Sequence, residues 1–354
     1  MASSPSSRTA APRAVSTEEV VADAEWLAHR YDPDHEVFHF LRVTRDAHQR
    51  AAFLTDECLP DGLEPLVVRR ADAMAEEPPP GPIHFIFHSA YCCSTLLARA
   101  FDRPGWAMGL KEPVVLNDIV GWRRRGGRGP DMASVLADAL ALLARPFAPG
   151  ETVVAKPSTA VNALAPAMLT LRPEARALLL HAPLPVYLAS IAKKGLEGRL
   201  WVRTLLTGMM DDGIAPKVFG PRDYLGQTDL QVAAIGWLGQ HLLFADLVRR
   251  FGADRVRTLD SATLMADPSA AFAAIAALFG LELNAMGLAE IVKGPAFSRH
   301  SKLDAAFTAS DRADEYRTAA AIHADEIEKV LVWTEQVAAT LGVSLTAPAP
   351  LLGG

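Results

Sequence analysis

The sequence predicts an α/β fold: a parallel sheet flanked by helices in three layers, preceded by a helical N-terminal extension. Three features lead there. From residue 83 onward, five short runs read as strands, four of them dominated by apolar residues: "IHFIFH" (83–88), "WAMGL" (106–110), "TVVAK" (152–156) and "ALLLHA" (177–182), with "RVRTLD" (255–260) the fifth. Strands too apolar to alternate are buried on both faces, as in a parallel sheet. Longer stretches with helical spacing separate these runs, and strand–helix alternation builds such a sheet. Before residue 83 the rhythm differs, and "EEPPPGP" (76–82) divides the two regions, because proline continues neither helix nor sheet.

In chain order, residues 1–15 are polar and small, and they are expected to form a disordered tail. Ser16 opens "STEEVVADAEWLAHRY", and Glu19 three residues later fits a capping box. Val20, Val21, Ala24, Leu27 and Ala28 recur on one helical face. A second helix is expected around "DAHQRAAFLTDECL" (46–59), so residues 16–82 read as a helical extension. The α/β domain then runs over 83–340 and a tail over 341–354. Its helices are "STLLARAF" (94–101), "DMASVLADALALLARPF" (131–147), "STAVNALAPAMLTL" (158–171), "DLQVAAIGWLGQHLLFADLVRRFG" (229–252) and "PSAAFAAIAALFGL" (268–281). No internal repeat is visible.

Bulk properties narrow the function. The chain has 354 residues, 50% of them hydrophobic, and a formal net charge of -6, which argues against a general nucleic-acid binder. Three cysteines do not make a disulfide framework, so a reducing compartment is expected. The opening "MASSPSSRTAAPRAVS" lacks the apolar core of a signal peptide, and no run reaches the length of a membrane span. The expected setting is cytoplasmic, with neither nucleic acid nor membrane as a partner. No paired metal ligands are recognisable.

The stretch "HFIFHSAYCCSTLL" (84–97) is a strand, a loop and a helix start. Against the nucleotide-binding pattern G-x-x-x-x-G-K-[ST], His88 and Cys93 occupy the glycine positions and Ser94 the lysine position; only Thr95 matches. The context still suits an anion, because free N–H groups and the helix dipole favour negative charge at a helix start. Cys93, Ser94 and Thr95 stand there. The adjacent cysteines are either small fillers of the turn or thiols made reactive by the helix terminus. Two basic stretches have two readings each. "AKKGLEGRLWVR" (192–203), with Lys193, Lys194, Arg199 and Arg203, is a mobile basic lid or a solvated face, and "GWRRRGGRG" (121–129) is an exposed flexible loop that steers anions or is merely solvated.

With these residues in view, the chain resembles the sulfotransferase family over roughly 83–302. Ala90-Tyr91-Cys92-Cys93-Ser94-Thr95 falls in register with the family's P-[KR]-S-G-T-T loop, with Tyr91 at the basic position and Cys93 at the glycine. "GLKEP" (109–113) looks like the strand end whose glutamate is the general base, which nominates Glu112. "VVAKP" (153–157) looks like the segment whose lysine approaches the sulfuryl group, which nominates Lys156. "ARALLLHAPLPVYLASIAKK" (175–194) resembles the segment that holds the 3'-phosphate, with His181 at the arginine and Ser190 near the serine. "RVRTLDSATLMADPSAAFAAIAALFGL" (255–281) follows the family's strand, acidic turn and helix. "GPAFSRHSK" (294–302) looks like a late basic loop bearing Arg299 and Lys302.

The resemblance implies a P-loop-like fold and 3'-phosphoadenosine-5'-phosphosulfate as co-substrate. It implies sulfuryl transfer to a hydroxyl or amine acceptor, with Glu112 and Lys156 catalytic. Ser89, Tyr91, Cys92, Cys93, Ser94, Thr95, His181, Ser190, Arg299 and Lys302 would surround the nucleotide. Two other classes stay open: a catalytically lapsed nucleotide-binding or interaction module, and a phosphoryl-transferring P-loop enzyme.

Overall fold

The computed structural model describes residues 15–127, 129–220, 222–298 and 321–353. Ser16 and Glu19 accept each other's backbone N–H, as the capping box predicts, and open α1 (Thr17–Ala22). There the helical reading of the extension fails. The chain turns into β1 (Trp26–Asp32), which pairs antiparallel with β2 (Val37–Arg42), and β2 pairs antiparallel with β3 (Leu66–Arg69). Short helices α2 (Arg45–Arg50) and α3 (Arg70–Ala75) complete the unit. Leu27 and Ala28 are buried as predicted, but from a strand. The turn between β1 and β2 decides this. Asp32 accepts the N–H groups of Asp34 and His35, and Glu36 takes φ 52, so the chain folds back into a hairpin that buries Phe38 and Phe40 completely. The second helix ends at Arg50, and residues 51–65 form neither helix nor strand.

The main sheet has β4 (Ile83–His88), β5 (Ala107–Lys111), β6 (Thr152–Lys156), β7 (Ala177–His181) and β8 (Val256–Asp260), all parallel, in the order β5-β6-β4-β7-β8. Each strand lies within one residue of its predicted bounds at either end. Every residue of β4 to β7 is buried, which is why these runs carry no alternation. Helices α4 (Ser94–Phe101), α5 (Val115–Arg124), α6 (Pro130–Leu143), α7 (Ala165–Leu171), α8 (Leu184–Lys193), α9 (Gly195–Asp211), α10 (Asp229–Phe251), α11 (Ser261–Ala266) and α12 (Pro268–Leu278) connect and cover the strands. Ile83, Phe85 and Phe87 of β4 pack into one core with α5, α6, α7 and the N-terminal sheet. Ile86 faces the other core, with α4, α8 and α12. The chain's end lies along β8: Thr258 N–H donates to Ala349 O, and Leu351 N–H donates to Thr258 O. That covers an otherwise open sheet edge.

Two basic stretches differ from expectation. Residues 192–203 are not a glycine-loosened loop but the junction of α8 and α9. Gly195, at φ 57, ends one helix and starts the next. Gly198 is there for close packing: a Cβ would stand 2.7 Å from Ile191 O. Arg199 pairs with Glu326 at 3.0 Å and Arg203 with Asp229 at 2.6 Å, so neither cation is aimed at the loop after β4. Residues 121–124 likewise belong to α5, where Arg124 pairs at 2.7 Å with Asp212, whose carboxylate is buried.

Candidate functional site

β4 lies between β6 and β7, and the chain leaves it first toward β5 and later crosses to β7. Ligand crevices in such sheets open at this reversal, beyond the carboxyl ends of the strands. Most of the nominated residues meet there.

His88 ends β4. Its Nδ1 accepts the Ala90 N–H at 3.1 Å, so the proton sits on Nε2 and is donated to Pro157 O at 3.0 Å. Asn162 holds the same corner from the other side, donating to His88 O and to Gln240 Oε1, both at 2.9 Å. Ser89 is a pin between strands. Its N–H donates to Leu180 O, its Oγ accepts the Ala182 N–H at 3.0 Å, and the side chain is fully buried.

The loop that follows is built without glycine, yet it takes glycine's conformations. Ala90, Tyr91 and Cys93 have φ of 69, 52 and 65. Cys92 does not, so three of the four residues from Ala90 to Cys93 hold left-handed conformations directly before the start of α4, where free N–H groups favour an anion. A non-glycine residue held in that conformation costs about 1–2 kcal/mol. Ala90→Gly removes only a methyl. It is therefore expected to leave stability unchanged or raise it by up to about 1 kcal/mol, after the greater freedom of glycine in the unfolded chain is counted. A urea titration checks this, and a clear loss of stability would show that the loop is not strained at Ala90.

Ser94 and Thr95 lie buried in the first turn of α4. Cys92 is buried too, and burial, with Cys93 beside it, pushes its thiol up to about 12. A protonated thiol is a poor nucleophile, so Cys92 is a filler of the turn. Tyr91 does not bring a cation. Its ring sits edge-on to Trp201 of α9 at 5.5 Å and to Tyr187 of α8 at 6.0 Å. The Tyr187 hydroxyl is buried and has no hydrogen-bond partner among the described residues, which is an unmet donor next to the loop.

The positive charge comes from β6. Lys156 ends that strand, with its side chain 0% exposed. Its ammonium pairs with the Glu112 carboxylate, lies 3.3 Å from His88 Nε2, and sits over the Phe53 ring at 5.2 Å from the centroid. A buried charge persists only when paired in this way. Glu112 stands one residue past β5, at φ 55, and its N–H donates to Lys156 O at 2.7 Å, which carries the ladder one step beyond the strands. Its side chain is 21% exposed against 0% for Lys156, so the carboxylate is the more open of the two. Lys111, the neighbour a surface ion pair would have used, points elsewhere. Its ammonium donates to His48 O at 2.7 Å and Gln49 O at 3.2 Å.

His181 ends β7, edge-on to His241 at 4.8 Å. Burial lowers the pKa of His181 and lowers that of His241, next to it, to about 3. The pair is therefore neutral at ordinary pH, and His181 brings no positive charge where the resemblance has an arginine. His241 Nδ1–H donates to Trp237 O at 3.2 Å, which leaves Nε2 with a lone pair and no partner; His181 Nδ1 is also without one among the described residues. Ser190 Oγ donates to Val186 O at 2.6 Å within its own helix. Arg299 and Lys302 lie outside the described residues.

Residue spacing had no means of finding Phe53, Asn162, Tyr187 or Gln240 as parts of this corner, since each arrives on a different element. Among the described residues, no group of three or more His, Cys, Asp or Glu side chains is arranged to hold a metal ion. No described helix is long and apolar enough to cross a membrane.

No protein-family model matches the sequence, and neither does any curated protein. Solved structures do resemble it. The sulfotransferase domain from the curacin biosynthetic pathway is 14% identical, with a TM-score of 0.40, over 76% of this chain and 99% of that one. The sulfotransferase domain of the Synechococcus PCC 7002 olefin synthase is 17% identical, with a TM-score of 0.42, over 67% of this chain and 88% of that one. Sulfotransferase STF9 from Mycobacterium avium is 17% identical, with a TM-score of 0.35, over 66% of this chain and 63% of that one.

Proposed function

We propose that this chain is a sulfotransferase-like enzyme of the cytoplasm that moves a sulfuryl group from 3'-phosphoadenosine-5'-phosphosulfate to a hydroxyl or amine acceptor. The observation that carries the reading is the Glu112–Lys156 pair at the ends of adjacent strands, beside a strand–loop–helix whose helix start favours an anion. The residues fit the 5' end of the nucleotide. The N–H groups of Cys92, Ser94 and Thr95, at the entrance to α4, and the Tyr187 hydroxyl are donors for phosphate and sulfate oxygens, and Lys156 supplies the cation that Tyr91 does not. Of the residues nominated for the 3' end, His181 is neutral and Ser190 bonds within its own helix, so Arg299 and Lys302 are the candidates for that phosphate.

When bound, the nucleotide supplies the sulfuryl group and carries away the electron pair of the broken sulfur–oxygen bond on its phosphate. The chain's own part is electrostatic and protolytic. Glu112, the more open of the pair, takes the proton of the acceptor hydroxyl as that oxygen bonds to sulfur. Lys156 offsets the charge growing on the leaving oxygen.

Calorimetric titration with adenosine 3',5'-bisphosphate, run beside magnesium-ATP, tests the reading. Micromolar binding of the bisphosphate and weak binding of ATP are expected. No heat at high micromolar bisphosphate would count against the proposal, and tight magnesium-dependent ATP binding would favour phosphoryl transfer. Nucleotide binding without turnover on a broad acceptor panel would favour the lapsed binding module.

A further inference from the structure

We infer that the loop at residues 51–65 forms the acceptor-side wall of this site, that Phe53 is its positioning and specificity residue, and that the acceptor is a hydroxyl compound with an apolar body. The inference rests on the transfer reading above. It concerns a part of the chain that lies before the resemblance begins.

A fifteen-residue segment without helix or strand is uncommon inside a compact domain unless it works as a lid or binding loop. This one is held at several points around Glu112. Leu54 is fully buried, and its N–H donates at 2.7 Å to the carbonyl of Lys111, the residue before Glu112. Lys111 in turn sends its ammonium to the carbonyls of His48 and Gln49, just before the loop. Asp56 accepts from His29 at 2.6 Å and pairs with Arg30, which reaches Asp118 of α5 at 2.8 Å. The N-terminal unit is thus stitched to β5 before Glu112 and to the helix after it.

Phe53 is carried by the residue next to Leu54 and lies over the ammonium that pairs with Glu112. Ring and carboxylate therefore both approach a single charge. Lys156 is buried, while Phe53 is half-buried and Glu112 is the more open partner of the ion pair. An acceptor reaching Glu112 meets the aromatic ring as its neighbour. The ring does two things there. It covers the ammonium by a cation–π contact, and it presents an apolar face to the body of the acceptor. Such a wall binds an aryl or alkyl body well. The Phe53 ring itself offers no hydrogen bonds to a sugar and no counter-charge to an anion.

Four probes serve as acceptors with the sulfuryl donor: 2-naphthol, 4-nitrophenol, cyclohexanol and glucose. The full chain is expected to use the first three in preference to glucose. Phe53→Ala should raise KM for 2-naphthol about tenfold or more, the loss of one aromatic contact, with kcat changed by less than about threefold. Phe53→Tyr should restore KM. Adenosine 3',5'-bisphosphate should bind all three proteins equally. An unchanged KM, a preference for glucose, or a parallel fall in kcat and nucleotide affinity would overturn the assignment, the last because it marks a purely structural residue. So would failure of 2-naphthol both to react and to bind the nucleotide-saturated protein at millimolar concentration. If the bisphosphate itself does not bind, the transfer reading falls. Phe53-dependent binding of 2-naphthol, followed by protein fluorescence, then still judges the wall.

Discussion

Glu112→Gln is expected to lower turnover by about 10²–10⁴-fold while leaving affinity for adenosine 3',5'-bisphosphate nearly intact. The amide keeps the size of the side chain and an oxygen for the Lys156 ammonium, but it cannot take the acceptor's proton. The nucleotide contacts proposed here run through the loop, Tyr187 and Lys156, whose side chains the substitution leaves in place, with the amide oxygen still accepting from the ammonium. Glu112→Leu is expected to behave differently. It leaves an ammonium with 0% exposure facing hydrocarbon, and removing one partner of a buried pair costs about 3–5 kcal/mol. Steady-state kinetics and urea unfolding of the two variants separate chemistry from stability. An unchanged rate in Glu112→Gln would remove Glu112 from the base role, and an unchanged urea midpoint in Glu112→Leu would mean that the ammonium is solvated after all.

Mild acid should unfold this protein through its histidines. His84 is stacked on Phe279 with its Nδ1 accepting the Arg176 N–H, and burial, with Arg176 nearby, lowers its pKa to about 4. His241 is lowered to about 3 by burial and by His181. Both folded values lie below the unfolded value of about 6.5. The unfolded chain therefore takes up protons that the native state refuses as pH falls from about 6.5. The stability conferred by the neutral rings is whole above that pH and is lost on the way down to the folded values. Each ring contributes about 1.4 kcal/mol per pH unit, so the two remove roughly 5 kcal/mol by pH 4.5, comparable with the whole stability of many domains. His48 and His181, also lowered mainly by burial, steepen the fall. Urea midpoints measured at half-unit steps between pH 7.5 and 4.5 should follow this slope. Replacing His84 by Phe, which preserves a ring against Phe279, should flatten it by about one proton whatever it does to absolute stability. Equal slopes for the two proteins would mean that His84 is protonated in the native state.

The main sheet was legible because a strand buried on both faces must be apolar nearly throughout, and the helices between such strands must carry one apolar stripe. The N-terminal unit was not legible. Val20, Val21, Leu27 and Ala28 satisfy a helical period, yet the hairpin at Asp32–Glu36 overrides it by giving Phe38 and Phe40 a buried face. In the site, Glu112 and Lys156 were each visible as a charged residue at the end of an apolar run. The rest depends on long-range contact. His181 could be aligned with a phosphate-binding position, but its neutrality comes from burial beside His241, sixty residues later.

By itself, then, the sequence determined the alternation of strands and helices, the loop after β4 and the two charged strand ends, because local burial and turn chemistry leave their mark in the order of residues. Only the tertiary structure decided that Lys156 answers Glu112 and not Lys111. It also decided that the glycine-rich basic stretch is packed helix, and that Phe53 from the N-terminal unit stands over the ammonium. The register of β5 against β6 sets the first of these, pairing Lys111 with Lys156 so that Glu112 emerges one step beyond. Such choices follow from which elements pack together and which charges can be buried only in pairs, and no spacing along the chain records either.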